Sequence, residues 1–193
     1  MPSPRRHSPF SRRGILALSL QAAGSMIVVG AAEPAASLAI PLRRDDPARY
    51  QNFVVNWDTG TELLCAVVST PADYASLFHP APVIGGKKPF APPDEAFTKE
   101  QLLVIARVVG GDGKSVLAIE RVVEKEGALE VHLDDRPAKT PSTFTVKQAA
   151  LAWIPRRDGG RVTFVANGEA ITTLDPAGGD WIAPALPEPE TVE

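Results

Sequence analysis

Cysteine and histidine are scarce in this chain of 193 residues, which holds one cysteine and three histidines. The single Cys65 excludes an intrachain disulfide, and its apolar neighbours in Leu63–Val68 predict a small buried side chain. A reactive thiolate needs a histidine or another cation beside it, and no nearby residue in the sequence supplies one. Neither His79 nor His132 has a partner at a metal-ligand spacing. The sequence therefore predicts no catalytic residue, no metal site and no cofactor.

Basic residues are also scarce beyond the N-terminus. The chain has 20 basic and 23 acidic residues, a formal net charge of −3, and its first 32 residues contain four arginines and no acid. The part after Ala32 keeps 16 basic residues against 23 acidic ones, a charge of −7, without a basic block. Because phosphate neutralisation by lysine and arginine dominates nucleic-acid affinity, we expect no nucleic-acid partner.

The first 32 residues have the pattern of a secretory signal peptide, with arginines, then an apolar run, then the small residues Gly30-Ala31-Ala32. Ser11–Leu16, with the sequence SRRGIL, resembles the twin-arginine motif. That resemblance implies export of a folded protein across a bacterial inner membrane, to the periplasm or the medium. Gly14–Ala32 carries no charge and is close to the roughly 20 residues that span a bilayer. An uncleaved anchor is the alternative, and only then would the protein be attached to a membrane.

Apolar runs of strand length separated by turn residues follow the signal. They predict about eight strands and one short helix, which indicates an antiparallel β-sandwich or an open barrel. Residues 33–49 form a short segment leading into a single domain over 50–175. Residues 176–193 form a proline-rich acidic tail that we expect to be mobile, although Trp181 and Ile182 could dock on the domain.

Local signals predict several elements within the domain. The predicted strands are Phe53–Trp57, Glu62–Ser69, Gln101–Val109, Ser115–Val123, Leu129–Leu133, Thr143–Ile154, Arg161–Ala166 and Glu169–Leu174. Thr70, Pro71 and Asp73 predict the start of a helix. Ser115–Val123 also fits a helix face, but its many valines and isoleucines favour a strand. We expect a bulge around Ala149-Ala150, His132 on the solvent side of its strand, and a hairpin at Asn167-Gly168.

One tripeptide suggests an enzyme. Asp58-Thr59-Gly60 resembles the catalytic triplet of aspartic peptidases, in which two aspartates share one proton. Since the chain has one such triplet, only a dimer could form this site, and the same residues suit a hairpin turn, which we favour. Gly113-Lys114-Ser115 lacks the first glycine of a phosphate-binding loop, because Val108 stands in its place.

The order of elements from residue 97 to 166 resembles a known family. Phe97–Glu100 opens the strand Leu102–Val109, a glycine-rich turn at 110–113 leads to Ser115–Val122, and strands at Leu129–Leu133, Thr145–Ile154 and Arg161–Val165 follow. This arrangement resembles the C-terminal domain family of protease complex subunit PrcB. The resemblance implies a small exported β-domain that is not itself an enzyme and that associates with a protease or another envelope protein.

The leading hypothesis is therefore a non-catalytic exported domain that binds another exported protein. The proline-rich loop 79–96 and the Gly110–Lys114 turn are the predicted contact surfaces, because long loops are often functional. The alternatives are a dimeric aspartic peptidase that uses Asp58 and a protease inhibitor.

Overall fold

Strands form most of the part of the protein that the computed structural model describes, which is residues 37–46, 63–78, 91–110, 115–137 and 143–184. The strands are β1 (Leu38–Ile40), β2 (Arg43–Asp45), β3 (Leu64–Val68), β4 (Glu100–Gly110), β5 (Val116–Lys125), β6 (Ala128–Arg136), β7 (Thr145–Pro155), β8 (Val162–Ala166), β9 (Glu169–Leu174) and β10 (Ile182–Ala183). Two helices, α1 (Pro71–Leu77) and α2 (Ala96–Lys99), and a 3-10 turn at Pro176–Gly178 complete these elements. Seven predicted strands are confirmed, and the predicted strand Phe53–Trp57 lies outside the described residues.

The ten described strands form two stacked sheets of five. Sheet A has the order β1-β5-β6-β8-β9, and sheet B has the order β10-β3-β4-β7-β2. Each sheet ends in two edge strands, so the fold is a sandwich and not a closed barrel. The predicted antiparallel pairing holds for every pair except β6 and β8, which are parallel. The exception arises because the chain leaves sheet A after β6, crosses sheet B as β7 and returns beside β6 as β8.

A first core fills the space between the sheets. Leu129, Val131 and Leu133 of β6 are buried here, while the residues between them are only half-buried. Phe164 of β8, the register partner of Val131, is fully buried in the same core. Sheet B contributes every second residue of its central strands, because successive side chains point to opposite faces. These sheet B residues are Cys65, Val67, Leu103, Ile105, Ala150, Ala152 and Ile154.

A second core covers the other face of sheet B. Phe97 of α2 packs on Trp153 of β7, with 5.3 Å between ring centroids, and Tyr74 of α1 packs on Phe78 at 4.8 Å. Because both faces of sheet B are covered, its central strands β3 and β4 are apolar over nearly their whole length. The predicted bulge in β7 around Ala149-Ala150 is wrong, since the register with β4 is unbroken and the two alanines face different cores.

Helix α1 begins at the predicted residues. Thr70 Oγ1 accepts a hydrogen bond from the Asp73 amide at 3.1 Å, and Asp73 Oδ2 accepts one from the Thr70 amide at 3.0 Å. This reciprocal pair is a capping box, and it satisfies two amides that the helix leaves unpaired. The helix ends at Leu77, before His79-Pro80 as predicted.

Replacing Thr70 by alanine should lower the free energy of unfolding by about 1 kcal/mol, because the Asp73 amide loses its acceptor. Urea unfolding followed by tryptophan fluorescence would measure the loss. Thr70→Ser keeps the hydroxyl and should retain most of the stability. An equal loss in both variants would show that the methyl group, and not the cap, contributes the stability.

The sheets extend past the boundaries expected at residues 50 and 175. Strands β1 and β2 pair with β5 and β7, and β10 pairs with β3. The amide of Val67 donates a hydrogen bond of 2.8 Å to the carbonyl of Trp181. The expected docking of Trp181 and Ile182 is therefore confirmed, and the expectation of a tail from Pro176 is wrong as far as residue 184. The physical reason is that β10 satisfies backbone groups along the outer edge of β3.

Candidate functional site

A β-bulge in β5 places two opposite charges side by side on the outer face of sheet A. Ile119 pairs with Leu133 and Arg121 pairs with His132, so Glu120 is one residue in excess. Glu120 and Arg121 are consequently both exposed, while Ile119 and Val122 on either side are buried. A regular strand would turn one of the two inward.

An arginine from sheet B holds this bulge. Arg44 of β2 donates hydrogen bonds to the carbonyl of Ile119 at 3.2 Å and to the carbonyl of Glu120 at 2.9 Å. Strand β1 pairs with β5 only at residues 122–124, so Val116–Arg121 has no strand partner on that side among the described residues. The guanidinium takes the place of a neighbouring strand at the bulge.

A second irregularity lies on the opposite side of β6. The register between β8 and β9 shifts after Phe164, and the two strands join through a tight turn at Asn167-Gly168. Both turn residues have positive φ, 54° and 84°, which confirms the predicted hairpin. Between the two irregularities lies an open groove of about 310 Å³, here called the outer-face groove. Its lining residues are Glu120, Arg121, His132, Leu133, Asp134, Val165, Asn167 and Gly168.

His132 lies in this groove with both ring nitrogens near charged groups. Arg121 Nη2 is 3.3 Å from His132 Nδ1, and His132 Nε2 is 3.4 Å from Glu130 Oε2. Because a guanidinium only donates, Nδ1 is the acceptor and the neutral ring carries its proton on Nε2, toward the carboxylate. The expected solvent-side orientation is confirmed, although the side chain is only 20% exposed.

The charged groups of the groove differ in how they are paired. Arg136 donates to both carboxylate oxygens of Asp134, at 2.7 and 2.6 Å, and these bonds raise the pKa of Arg136. The Glu120 carboxylate makes no hydrogen bond or ion pair within the described ranges, although its charge makes a smaller contribution to the raised pKa of Arg136. Arg121 donates only to His132 there, which leaves four of its five N–H groups available. The groove thus offers one carboxylate and one guanidinium to a ligand.

A buried polar layer lies at the end of the sandwich where β5 begins. Arg107 of β4 pairs with Asp135 of β6 across the two sheets and donates to the carbonyl of Val116 at 3.0 Å. Gln148, the register partner of Arg107, donates to the carbonyl of Ser115 at 3.2 Å. In the part of the chain that the structure describes, Arg107 Nε and Gln148 Oε1 are buried without a partner. This layer is absent from the sequence-based predictions, although an arginine inside the apolar run Leu102–Val109 was a signal for it.

Cys65 is a buried core residue, as predicted. Its side chain packs between the sheets with no exposed surface. Burial, with a smaller contribution from the charge of Asp135, raises the pKa of the thiol to about 12. The thiol is therefore protonated at neutral pH and shielded from solvent, unlike a nucleophile.

Labelling by a thiol reagent should consequently follow unfolding. Because Cys65 is the only cysteine, its reaction gives one unambiguous signal. At pH 8 we expect labelling to be at least about 100-fold slower in buffer than in 8 M urea, since only the unfolded fraction exposes the thiol. Rapid stoichiometric labelling of the native protein would contradict this burial.

Several predicted site residues lie outside the described residues. They are Asp58 with its triplet, His79, residues 80–90 of the proline-rich loop, and residues 111–114 of the glycine-rich turn. Residues 91–96 of the loop lead into α2. Among the described residues, no group of three or more His, Cys, Asp or Glu side chains is arranged to hold a metal ion. No helix within these ranges is long and apolar enough to cross a membrane.

Comparison with known proteins identified no relative of this chain. No protein-family model, no curated protein and no solved structure matches this chain.

Proposed function

We propose that this protein is an exported accessory domain that binds another envelope or secreted protein and performs no chemistry itself. The observation that carries the proposal is the outer-face groove, where Glu120 and Arg121 keep unused hydrogen-bonding capacity. Charged groups arranged in this way favour a partner of complementary charge and give an interface its specificity. The resemblance of residues 97–166 to the PrcB family makes a protease the first partner to test.

Affinity capture tests the binding role. The full chain, tagged at its C-terminus and produced in a bacterial host together with each candidate exported protease in turn, should retain one of these proteases through cross-linking and washing. A charge-swapped variant, Glu120→Lys with Arg121→Glu, should lose it. Asp158→Asn, at a side chain that is 98% exposed and distant in sequence, serves as the matched control and should retain it. Equal retention by the swapped variant would exclude the groove as the contact surface.

The same preparation separates the accessory role from the two alternatives. Casein cleavage at acidic pH that disappears in Asp58→Ala would favour the dimeric peptidase. Loss of the partner protease's activity on titration with the purified domain would favour an inhibitor. The accessory role predicts neither result.

Export is tested by the N-terminal arginines. Arg12→Lys with Arg13→Lys should leave the precursor inside the cell, whereas the native chain should reach the periplasm or the medium shortened by about 32 residues, as expected for a cleaved signal. Mass spectrometry of the exported form would identify the cleavage site. Export of the double variant at the native level would contradict the twin-arginine route.

A further inference from the structure

The spacing of the two available charges limits what the outer-face groove can bind. Glu120 and Arg121 are adjacent in sequence, and the bulge turns both side chains to the same face. A ligand that uses both must therefore present a cation and an anion close together. A flat patch of one charge, such as a nucleic-acid backbone, would meet one attractive group and one repulsive group.

The other charged groups in and beside the groove are already committed. Asp134 is held by two hydrogen bonds from Arg136, and the carboxylate of Glu130 lies against His132. Arg136 balances the charge of Asp134, and Lys125, whose Nζ is 3.9 Å from Glu130 Oε1, balances the charge of Glu130. Selectivity therefore rests on Glu120 and Arg121. His132 accepts from Arg121 and thereby orients the guanidinium.

The size of the groove restricts the ligand further. About 310 Å³ lies at the lower end of the roughly 300–1,000 Å³ of ligand pockets. That volume suits one or two residues, not a longer segment. The end of a polypeptide chain meets both restrictions, the close pair of opposite charges and the small volume. A C-terminal lysine or arginine carries a carboxylate and a cationic side chain on the same Cα atom.

We propose that the outer-face groove binds the C-terminus of a polypeptide whose last residue is basic. The terminal carboxylate pairs with Arg121, whose planar guanidinium matches a carboxylate in bidentate geometry. The basic side chain pairs with Glu120. The inference rests on the proposed binding function, and it specifies what the partner presents to this surface.

Three short peptides test the two contacts separately. The first peptide, N-acetyl-Gly-Lys, has both charges. The second, N-acetyl-Gly-Lys with an amidated C-terminus, lacks the carboxylate. The third, N-acetyl-Gly-norleucine, lacks the ammonium group and has nearly the same size. Binding is measured by titration calorimetry, and amide shifts of Asn167 and Gly168 in NMR spectra locate it. The first peptide should bind at least about tenfold more tightly than either of the others, which corresponds to roughly 1.4 kcal/mol.

Two conservative variants should each remove one preference. In Arg121→Gln the acid and the amide should bind equally, while the preference for lysine over norleucine remains. In Glu120→Gln lysine and norleucine should bind equally, while the preference for the acid remains. Arg161→Gln and Asp158→Asn change exposed charges outside the groove and should keep both preferences.

Other results would overturn either the inference or the proposed function. Equal binding of the acid and the amide by the native protein would exclude capture of a C-terminus. A variant that keeps the preference it should lose would exclude the assigned contact. If none of the peptides binds while affinity capture still depends on Glu120 and Arg121, the C-terminal chemistry is wrong and the proposed function stands. If the peptides bind and no partner protein is captured, the groove site stands and the accessory role fails.

Discussion

Replacement of Asp135 by alanine is expected to lower the free energy of unfolding by about 3–5 kcal/mol, one of the two largest effects of any substitution considered for this protein. The carboxylate is the charged partner of Arg107, whose side chain is only 9% exposed between the sheets. Without it the guanidinium would remain buried and uncompensated, because Val116 supplies only a neutral carbonyl. Equilibrium urea unfolding, with Asp135→Ala beside the native protein, measures the loss.

The neighbouring aspartate is the matched control for this experiment. Asp134 also pairs with an arginine, but its partner Arg136 is 67% exposed and the pair lies on the outer face of sheet A. Asp134→Ala should therefore cost less than about 1 kcal/mol. The double variant Arg107→Met with Asp135→Leu should recover much of the stability lost in Asp135→Ala, since no unpaired charge remains. Equal costs for the two alanine variants would contradict the buried position of Arg107.

Phe97→Ala should reduce the free energy of unfolding by about 3–4 kcal/mol, because a buried phenylalanine leaves a cavity when truncated. Phe97 is 3% exposed, and its ring centroid lies 5.3 Å from that of Trp153 in sheet B and 6.1 Å from that of Tyr74 in α1. The loss should appear in thermal and urea unfolding alike. The experiment tests whether the helices that cover the outer face of sheet B contribute to global stability.

Phe144 provides the control of the same residue type. It is 58% exposed just before β7, so Phe144→Ala should cost about 1 kcal/mol or less. A Phe97→Ala loss as small as this would mean that α2 unfolds separately from the sandwich. In that event the second core would not be part of one cooperative unit.

Part of the candidate site could have been found in the sequence. In β5 the apolar residues Leu117 and Ile119 are two apart, but Val122 follows three residues later, and that extra residue is the bulge. In β6 the inward alternation ends at Leu133, and its continuation places Asp135 on the inner face.

The partners of these residues could not have been found in this way. Arg107 lies in a strand whose two faces are both apolar, so the sequence pattern does not tell which face it occupies. That Asp135 reaches it depends on the stacking of β6 over β4, two strands that are not neighbours in a sheet. The groove likewise requires β8 to return beside β6 in parallel, which brings the Asn167-Gly168 turn to the same surface as Glu120.

Local features of this protein follow from its sequence alone: the capped start of α1, the Asn167-Gly168 hairpin, the alternation in β6 and the buried thiol of Cys65. Each depends on the conformational preferences of a few consecutive residues or on apolar periodicity. The pairing of the short strands β1, β2 and β10, the burial of both faces of sheet B and the Arg107–Asp135 pair arise only in the assembled fold. Strands of two or three residues are too short to show an alternation of apolar and polar residues. Pairing between distant strands leaves no mark in the sequence either, because it joins backbone N–H and C=O groups that nearly every residue has.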